Sequence, residues 1–220
     1  MTELDDTLVT RQRLLEAAGE VFAEHGRRGA TVRDICKRAG ANIAAVNYHF
    51  GGKDELYAAA VNYAHDCAKR YPVEAGLPAD PTPQQRLRGF VRAFLLGLLE
   101  EGKPAWHGKL MAREMAEPSP VLEQIAAEGV RPRFMMLMGI LRSIVGPDVS
   151  DAMLRRCERS IVGQMLFYHF ARPMLVRLFP DERFDASAVD ALADHILAFS
   201  LNGLTGIAAG AGGTRKEGEA

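Results

Sequence analysis

The amino-acid sequence predicts an all-α protein, and three observations carry this prediction. Apolar residues recur at helical spacing along most of the 220 residues. No segment shows the two-residue alternation of a half-buried strand or the glycine pattern of a dinucleotide-binding fold. The stretch 31–53, TVRDICKRAGANIAAVNYHFGGK, fits two short capped helices around a Gly-Ala turn. With a preceding helix, this pair predicts a three-helix helix-turn-helix domain.

The first predicted helix precedes this pair and covers residues 11–25. Its apolar side chains fall on one face, and Gly26 follows as a helix-ending residue. The residues of this face are Leu14, Leu15, Ala18, Val21 and Phe22. We expect the face to brace the two shorter helices.

The second predicted helix begins after Thr31, whose hydroxyl suits an N-cap. Asp34 stands three positions on, as the second half of a capping box, and Gly40 supplies the permissive backbone that ends the helix. Helical spacing places Val32, Ile35, Cys36 and Ala39 inward, and Arg33, Lys37 and Arg38 outward. Only a short turn therefore separates this helix from the next.

The third predicted helix is capped by Asn42 and has the composition of a recognition helix. We expect Ile43, Val46 and Phe50 to pack inward. The residues on the open side are Ala44, Ala45, Asn47, Tyr48 and His49. Small alanines allow close approach to base edges, asparagine can pair with adenine, and tyrosine and histidine can donate hydrogen bonds to phosphate oxygens.

A strip of cations accompanies these helices. It consists of Arg27, Arg28, Arg33, Lys37, Arg38 and Lys53. Against Asp34 these six give a local charge of +5, although the whole chain carries −1. Lys53 also opens a helix, where free N–H groups and the helix dipole favour a phosphate. The pattern indicates DNA binding, but capped helix pairs also occur in helical cores that bind no DNA.

Residues 11–61 resemble the N-terminal domain of TetR-family transcriptional regulators. The segments VFAEHG, TVRDICKRAG, NYHF and KDELY occur in the family's order and at its spacing. The chain departs from the common pattern at residues 41–43, where many members carry Val-Ser-Lys. Asn42 retains a cap there, whereas Ile43 loses a frequent charged contact. The segments NIAAVNYHFGGKDELY, KLMAREMAEPSP and FDASAVDALADHILAFSLNGL are similar to the CecR-like branch.

The resemblance implies the DNA-binding residues and the regulated response. It assigns phosphate contacts to Thr31, Tyr48, His49 and Lys53, base reading to Ala44, Ala45 and Asn47, and a place near the DNA backbone to Asn42. The outward Arg33 of the basic strip joins this set. Members of the branch are implicated in responses to toxic compounds and often control membrane or export genes.

The rest of the chain predicts a helical link and a second helical domain. Residues 54–71 continue as a connecting helix, and the four prolines of residues 72–83 mark a loop and domain boundary. The predicted domains are 1–53 for DNA binding, 54–71 as the link, 72–206 for effector binding and dimerisation, and 207–220 as a disordered tail. Later helices are expected at 83–101, 105–116, 120–145, 151–170 and 186–206.

The middle helices mix methionine, aromatic and polar residues in a way that suits a small-molecule pocket. The predicted effector-contacting residues are Trp106, His107, Met111, Arg113, Phe134, Met138, Phe167 and Tyr168. Methionine and aromatic side chains make adaptable apolar walls, and a few polar groups can orient a ligand. Ordinary core packing is the alternative for each of them.

The last two long helices carry more apolar surface than a single helix face needs, which predicts a homodimer. The expected interface residues are Ile161, Met165, Ile196, Phe199 and Leu204. Pairing the helices with their copies would form a four-helix interface, and burial within one subunit is the alternative.

The composition argues against other classes of protein. The histidines are scattered, and no nucleophile elbow, phosphate loop or zinc quartet appears, so we predict no enzyme, cofactor or metal. The three cysteines lack a paired spacing and are expected to be reduced. We find no apolar run long enough to span a bilayer and no signal-peptide pattern, which predicts a cytoplasmic protein without membrane contact.

Together these features predict a ligand-responsive DNA-binding transcriptional regulator. It would be a homodimeric repressor that binds a palindromic operator in double-stranded DNA and is released by a small, largely apolar effector. The alternative is a helical protein-interaction module without operator binding, which Ile43 at an often-charged position keeps open.

Overall fold

The computed structural model describes residues 3–67, 71–99 and 106–216, and in these ranges it is helical without any strand, as predicted. The helices are α1 (Glu3–Gly29), α2 (Val32–Ala39), α3 (Ile43–Phe50), α4 (Lys53–Cys67), α5 (Pro83–Leu99), α6 (Trp106–Ala116), α7 (Pro120–Gln124), α8 (Arg131–Val145), α9 (Asp151–Leu178) and α10 (Ala186–Lys216), with a π-helical segment at Ile125–Val130.

The chain forms two compact units with separate hydrophobic cores. The first unit contains α1 to α4 together with α6, α7 and the π-helical segment up to Gly129. The second contains α5, α8, α9 and α10 with the loop before α5. This packing differs from the predicted division at residue 72, because α6 and α7 lie with the N-terminal helices.

Apolar burial explains why α6 belongs to the first unit. Trp106 and Leu110 are buried in the same core cluster as Phe22 of α1 and Leu56 of α4. Gly19 makes this packing possible, since a Cβ atom at that position would overlap the Trp106 ring. Sequence periodicity shows that a helix has an apolar face but not which unit covers it.

The second unit is built on α5, which contacts α8, α9 and α10. Its buried residues include Leu87, Val91 and Leu95. Arg88 donates two hydrogen bonds to the Asp194 carboxylate of α10, at 2.5 and 3.0 Å. Arg92 makes a matching ion pair with Asp190 one turn away, so the two pairs fix the register of α10 on α5.

Helix α8 starts later than expected. Residues 120–145 were predicted as one helix, but α7 passes into the π-helical segment before α8 begins. Gly129 lies in this segment against the His65 ring of α4, where a Cβ atom would overlap the imidazole. Insertions of this kind are usually tied to local packing or function.

The last two helices run beyond their predicted ends. Helix α9 passes Pro173 and continues to Leu178. Helix α10 reaches Lys216, so residues 207–216 are helical rather than disordered, while 217–220 lie outside the described residues. Ile207 and Ala211 pack against the second core, which explains why the helix continues.

Helix α10 is also more apolar than expected. Its stretch Ala186–Ala211 is long and apolar enough to cross a membrane by length and composition, so the expectation of no such run was wrong. Only 22% of the apolar window is buried. Two ion pairs to α5, of Asp190 with Arg92 and of Asp194 with Arg88, attach the first part of this stretch to its own subunit.

Candidate nucleic-acid interface

The first helix of the motif, α2, is fixed by caps at both ends. The Thr31 hydroxyl oxygen accepts a hydrogen bond from the Asp34 backbone N–H at 3.2 Å, and the same hydroxyl donates to the Asp34 carboxylate at 2.6 Å. Gly40 ends the helix with a left-handed backbone, φ 62°. The carboxylate therefore bonds the cap's hydroxyl rather than its backbone N–H, unlike the expected capping box.

Two further contacts hold the turn between α2 and α3. Arg13 of α1 donates to the carbonyl oxygen of Ala39 at 2.5 Å. Across the turn, the Cys36 thiol donates to the carbonyl oxygen of Asn42 at 3.4 Å. Burial raises the pKa of Cys36, so this cysteine is a packing residue with little thiolate character.

Helix α3 is short and fixed at both ends. The Asn42 side-chain oxygen accepts a hydrogen bond from the Ala45 backbone N–H at 2.8 Å, and Gly51 ends the helix at φ 91°. Val46 is its one buried residue, and Phe50 is half-buried against the core. The remaining surface of α3 is available to a partner.

The predicted DNA-binding residues lie on or next to α2 and α3 and at the start of α4, and all of them are at least partly accessible. Thr31, Arg33, Asn42, Ala44, Asn47 and Tyr48 are exposed, whereas Ala45, His49 and Lys53 are half-buried. Tyr48 is 79% exposed and contacts the His49 ring edge-on, with ring centroids 5.0 Å apart. Asn47, Tyr48 and His49 are therefore not enclosed by the subunit.

Ile43 is the main departure from the prediction for α3. It was expected to pack inward, but its side chain is 55% exposed. Asn42 caps α3 immediately before it, and the inward position one turn later is filled by Val46. The periodic pattern therefore identified the buried stripe correctly at Val46 but extended it one turn too far.

The basic strip carries less unpaired positive charge than the +5 counted from the sequence. Arg38 makes a two-pronged hydrogen-bonded ion pair with Glu24 of α1, at 2.8 and 2.9 Å, and this contact lowers the pKa of the Glu24 carboxyl. Arg27 pairs with Asp54 at 3.3 Å. The sequence count missed these carboxylates because they lie outside the motif. No ion pair among the described residues engages Arg28, Arg33, Lys37 or Lys53.

The predicted effector residues are divided between the two units. Trp106, His107, Met111 and Arg113 belong to the first unit, and Phe134, Met138, Phe167 and Tyr168 to the second. Within the first unit, Trp106 and His107 are buried side by side with ring centroids 4.1 Å apart. Arg113 donates to the carbonyl oxygens of Ala23 and Glu24 at 2.9 Å, close to the break in α1 at Gly26. These contacts are those of packing and capping residues.

A buried carboxylate lies beside this group. Glu114 is fully buried and accepts hydrogen bonds from the Ser119 backbone N–H at 2.8 Å and hydroxyl at 2.7 Å, and from the Tyr57 hydroxyl. Burial, followed by the Glu114 contact, raises the pKa of Tyr57. The network links α4 to α6 and to the cap of α7, and nothing in the local sequence pattern indicated that this glutamate is internal.

In the second unit, the predicted effector residues do not line the cavity beside the proline-rich loop. Phe134, Met138 and Tyr168 are half-buried, and Phe167 is 57% exposed. A cavity of about 700 Å³ lies instead between the proline-rich loop and α8. Its lining includes Leu77, Arg86, Met135, Met136 and Ile140.

Four of the five predicted interface residues are core residues of the second unit. Ile161, Met165, Ile196 and Leu204 are at most 3% exposed, because the faces of α9 and α10 that carry them pack on the unit's own helices. Phe199 alone among the five is exposed, at 66%. It borders a groove of about 330 Å³ between α9 and α10, whose lining also includes Cys157, Gln164 and Gly203.

The geometry of the first unit defines a class of protein. Two capped helices, a glycine turn and an exposed second helix braced by α1 constitute a helix-turn-helix, the DNA-reading motif of transcriptional regulators. Comparison with known families gives the same result. Residues 14–60 match the family described as bacterial regulatory proteins, tetR family. Residues 83–204, more than half of the chain, match the HTH-type transcriptional dual regulator CecR, C-terminal domain.

The chain therefore belongs to the TetR family of transcriptional regulators, in its CecR-like branch. It is similar to the HTH-type transcriptional dual regulator CecR of Shigella flexneri, with 26% identity over 178 residues that cover 76% of this chain and 78% of that protein. It is also similar to the HTH-type transcriptional repressor AcnR of Corynebacterium efficiens, with 44% identity over 55 residues, 25% of this chain and 29% of that protein.

Solved structures agree with this assignment. The TetR family transcriptional regulator PfmR from Thermus thermophilus superposes with a TM-score of 0.58 and 26% identity, covering 84% of this chain and 97% of that chain. A putative transcriptional regulator from Pseudomonas aeruginosa gives a TM-score of 0.65 at 19% identity, covering 88% and 90%, and supports the fold alone.

Proposed function

We propose that this regulator acts as a cytoplasmic homodimeric repressor that binds a palindromic operator and is released by a small, largely apolar effector. The observation that carries the proposal is the exposed face of α3, with Asn47 and Tyr48 open to a partner and both helix ends fixed. A preformed helix loses little conformational entropy when it enters the major groove. The name of the AcnR relative as a repressor favours repression, whereas that of CecR as a dual regulator makes activation the second candidate.

Each predicted DNA-binding residue has a role in this proposal. Thr31, Arg33, Tyr48, His49 and Lys53 contact phosphates, and Asn42 lies near the DNA backbone while it caps α3. Ala44, Ala45 and Asn47 face base edges. Phosphate contacts position the helix and supply much of the affinity, whereas base contacts give the sequence preference.

Tyr48 and Lys53 test the phosphate assignments. Tyr48→Phe removes one hydroxyl donor and Lys53→Ala one cation, so both should weaken binding to every duplex sequence. Loss of the Lys53 contact should also reduce the slope of log K against log salt by about 1. Fluorescence anisotropy titrations at several salt concentrations would measure both effects. Lys109→Ala, at an exposed lysine of α6, is the matched control, and unchanged affinity in both test variants would contradict the assignments.

The dimer is proposed to form through the outer surface of α9 and α10. Phe199 is exposed beside the groove between these helices, and the apolar stretch of α10 is buried only to a small extent within the subunit. Exposed apolar surface of this kind is typical of a protein interface. A two-fold axis between the copies would present two α3 helices to the half-sites of a palindrome.

Effector release is proposed to act through the second unit. A ligand that binds among its helices, near Phe134, Met138, Phe167 and Tyr168 or in the cavity beside the proline-rich loop, would have to favour one spacing of the two α3 helices over the other. Helix α4 is the proposed mechanical link. Selection of bound fragments from genomic DNA, repeated with candidate toxic compounds, would identify both operator and effector. An absence of salt-sensitive duplex binding would favour the helical interaction module instead.

A further inference from the structure

Ile43 is a large aliphatic side chain on a helix surface whose other exposed residues are an alanine and side chains with hydrogen-bonding groups. It is the first residue of α3 and is 55% exposed, next to the exposed Ala44 and one turn before Asn47. Isolated exposed apolar residues are common on protein surfaces, so exposure alone assigns no role. The position matters, because the N-terminal residues of a recognition helix are those that contact base edges.

The fold itself does not require isoleucine at this position. Asn42 caps the helix through its own side chain, Val46 fills the core, and Phe50 completes the inward packing. A β-branched residue is also not favoured in a helix over straight-chain residues. A contact outside the subunit would therefore explain this side chain better than a contact within it.

The chemistry of Ile43 limits what it can contact on DNA. Its side chain has no donor or acceptor, so it cannot hydrogen-bond a phosphate or a base edge. The thymine C5-methyl is the apolar group that the major groove presents. We propose that Ile43 reads a thymine by apolar contact with this methyl group. The inference rests on the proposed operator binding and adds a sequence-determining residue to it.

The contact can be tested by removing one methyl group from the DNA. With the operator in hand, each thymine is replaced in turn by deoxyuridine, which leaves base pairing intact, and the affinity of the full-length protein is measured at fixed salt. We expect one symmetry-related position per half-site at which uracil lowers the affinity about fourfold, the value of one buried methyl group. In Ile43→Ala, uracil at that position should lower the affinity by less than about twofold, because the shortened side chain no longer reaches the methyl group.

Two further variants make the result specific. Ile43→Val keeps a β-branched apolar side chain and should retain part of the uracil effect. Met115→Ala, which truncates an apolar residue on α6 that is at least as exposed, should retain all of it. Uniform tolerance of uracil by the unmodified protein, or an unchanged uracil effect in Ile43→Ala, would overturn the inference while operator binding stands. Failure of the unmodified protein to bind any duplex would overturn the proposed function and the inference together.

Discussion

At the scale of single residues, Glu114 shows how a charged side chain can be internal to a small helical unit. Three donors surround its carboxylate, two from Ser119 and one from Tyr57, and together they offset the cost of removing it from water. From the sequence alone, this glutamate could be an effector ligand or a surface pairing group. Its enclosed position shows that it contributes to the packing of α6 and α7 against α4.

This network predicts a measurable cost for a small substitution. Tyr57→Phe removes one donor and leaves the buried carboxylate less satisfied, so the free energy of unfolding should fall by about 1 to 3 kcal/mol. Urea denaturation followed by circular dichroism would measure the change. Glu123→Gln alters an exposed carboxylate on α7 and should stay within about 0.5 kcal/mol of the parent. Equal stability of the parent and Tyr57→Phe would show that the hydrogen bond adds nothing.

At the scale of helices, α2 and α3 were predictable because their ends depend on local chemistry. Thr31, Gly40 and Asn42 act within a few residues of themselves, and the structure confirms each as a cap. Contacts between distant segments were not predictable in the same way. The pairing of Arg38 with Glu24 needed knowledge of which face of α1 meets α2.

The distinction between local contacts and contacts of distant segments also explains the other differences between the predicted and the observed helices. An apolar stripe identifies a helix face but not its partner, so the packing of α6 against α1 could not be read from the sequence. The π-helical segment contains Gly129, which lies against the His65 ring, and these two residues are far apart in the chain. In α9 and α10, four of the five residues predicted for the dimer interface face the subunit's own core.

The close approach of α1 and α6 gives a prediction about these two helices. Gly19→Ala adds a methyl group that overlaps the Trp106 ring, so the unfolding free energy should decrease by about 1 to 3 kcal/mol through overpacking. The near-ultraviolet circular dichroism of the chain's one tryptophan should change as well. Gly29→Ala in the same helix makes only ordinary contact with His25 and serves as the control. A fully stable Gly19→Ala with unaltered tryptophan signal would contradict this packing.

At the scale of the whole molecule, the proposed homodimer makes a prediction about Phe199. Phe199→Glu places a charge on an exposed position, so the subunit should keep its fold while the dimer dissociates to monomer at micromolar concentration. Analytical ultracentrifugation would measure the mass, and operator affinity should fall because the two half-sites are then bound separately.

A matched variant distinguishes the interface from a general effect of charge. Met135→Glu adds the same group at a similarly exposed position on α8, in the lining of the cavity beside the proline-rich loop and outside the groove between α9 and α10, and its mass is measured without effector. It should remain dimeric. A dimeric Phe199→Glu would place the interface elsewhere on the second unit.

The association of α6 and α7 with the N-terminal helices has a consequence for engineering. A chimaera that takes only the first four helices from this protein would leave Phe22 and Leu56 facing a foreign α6, without the matching Gly19 and Trp106 pair. To exchange the DNA-binding unit between relatives, two separate stretches of chain should therefore be transplanted. The junctions would lie on either side of α5 and within the π-helical segment.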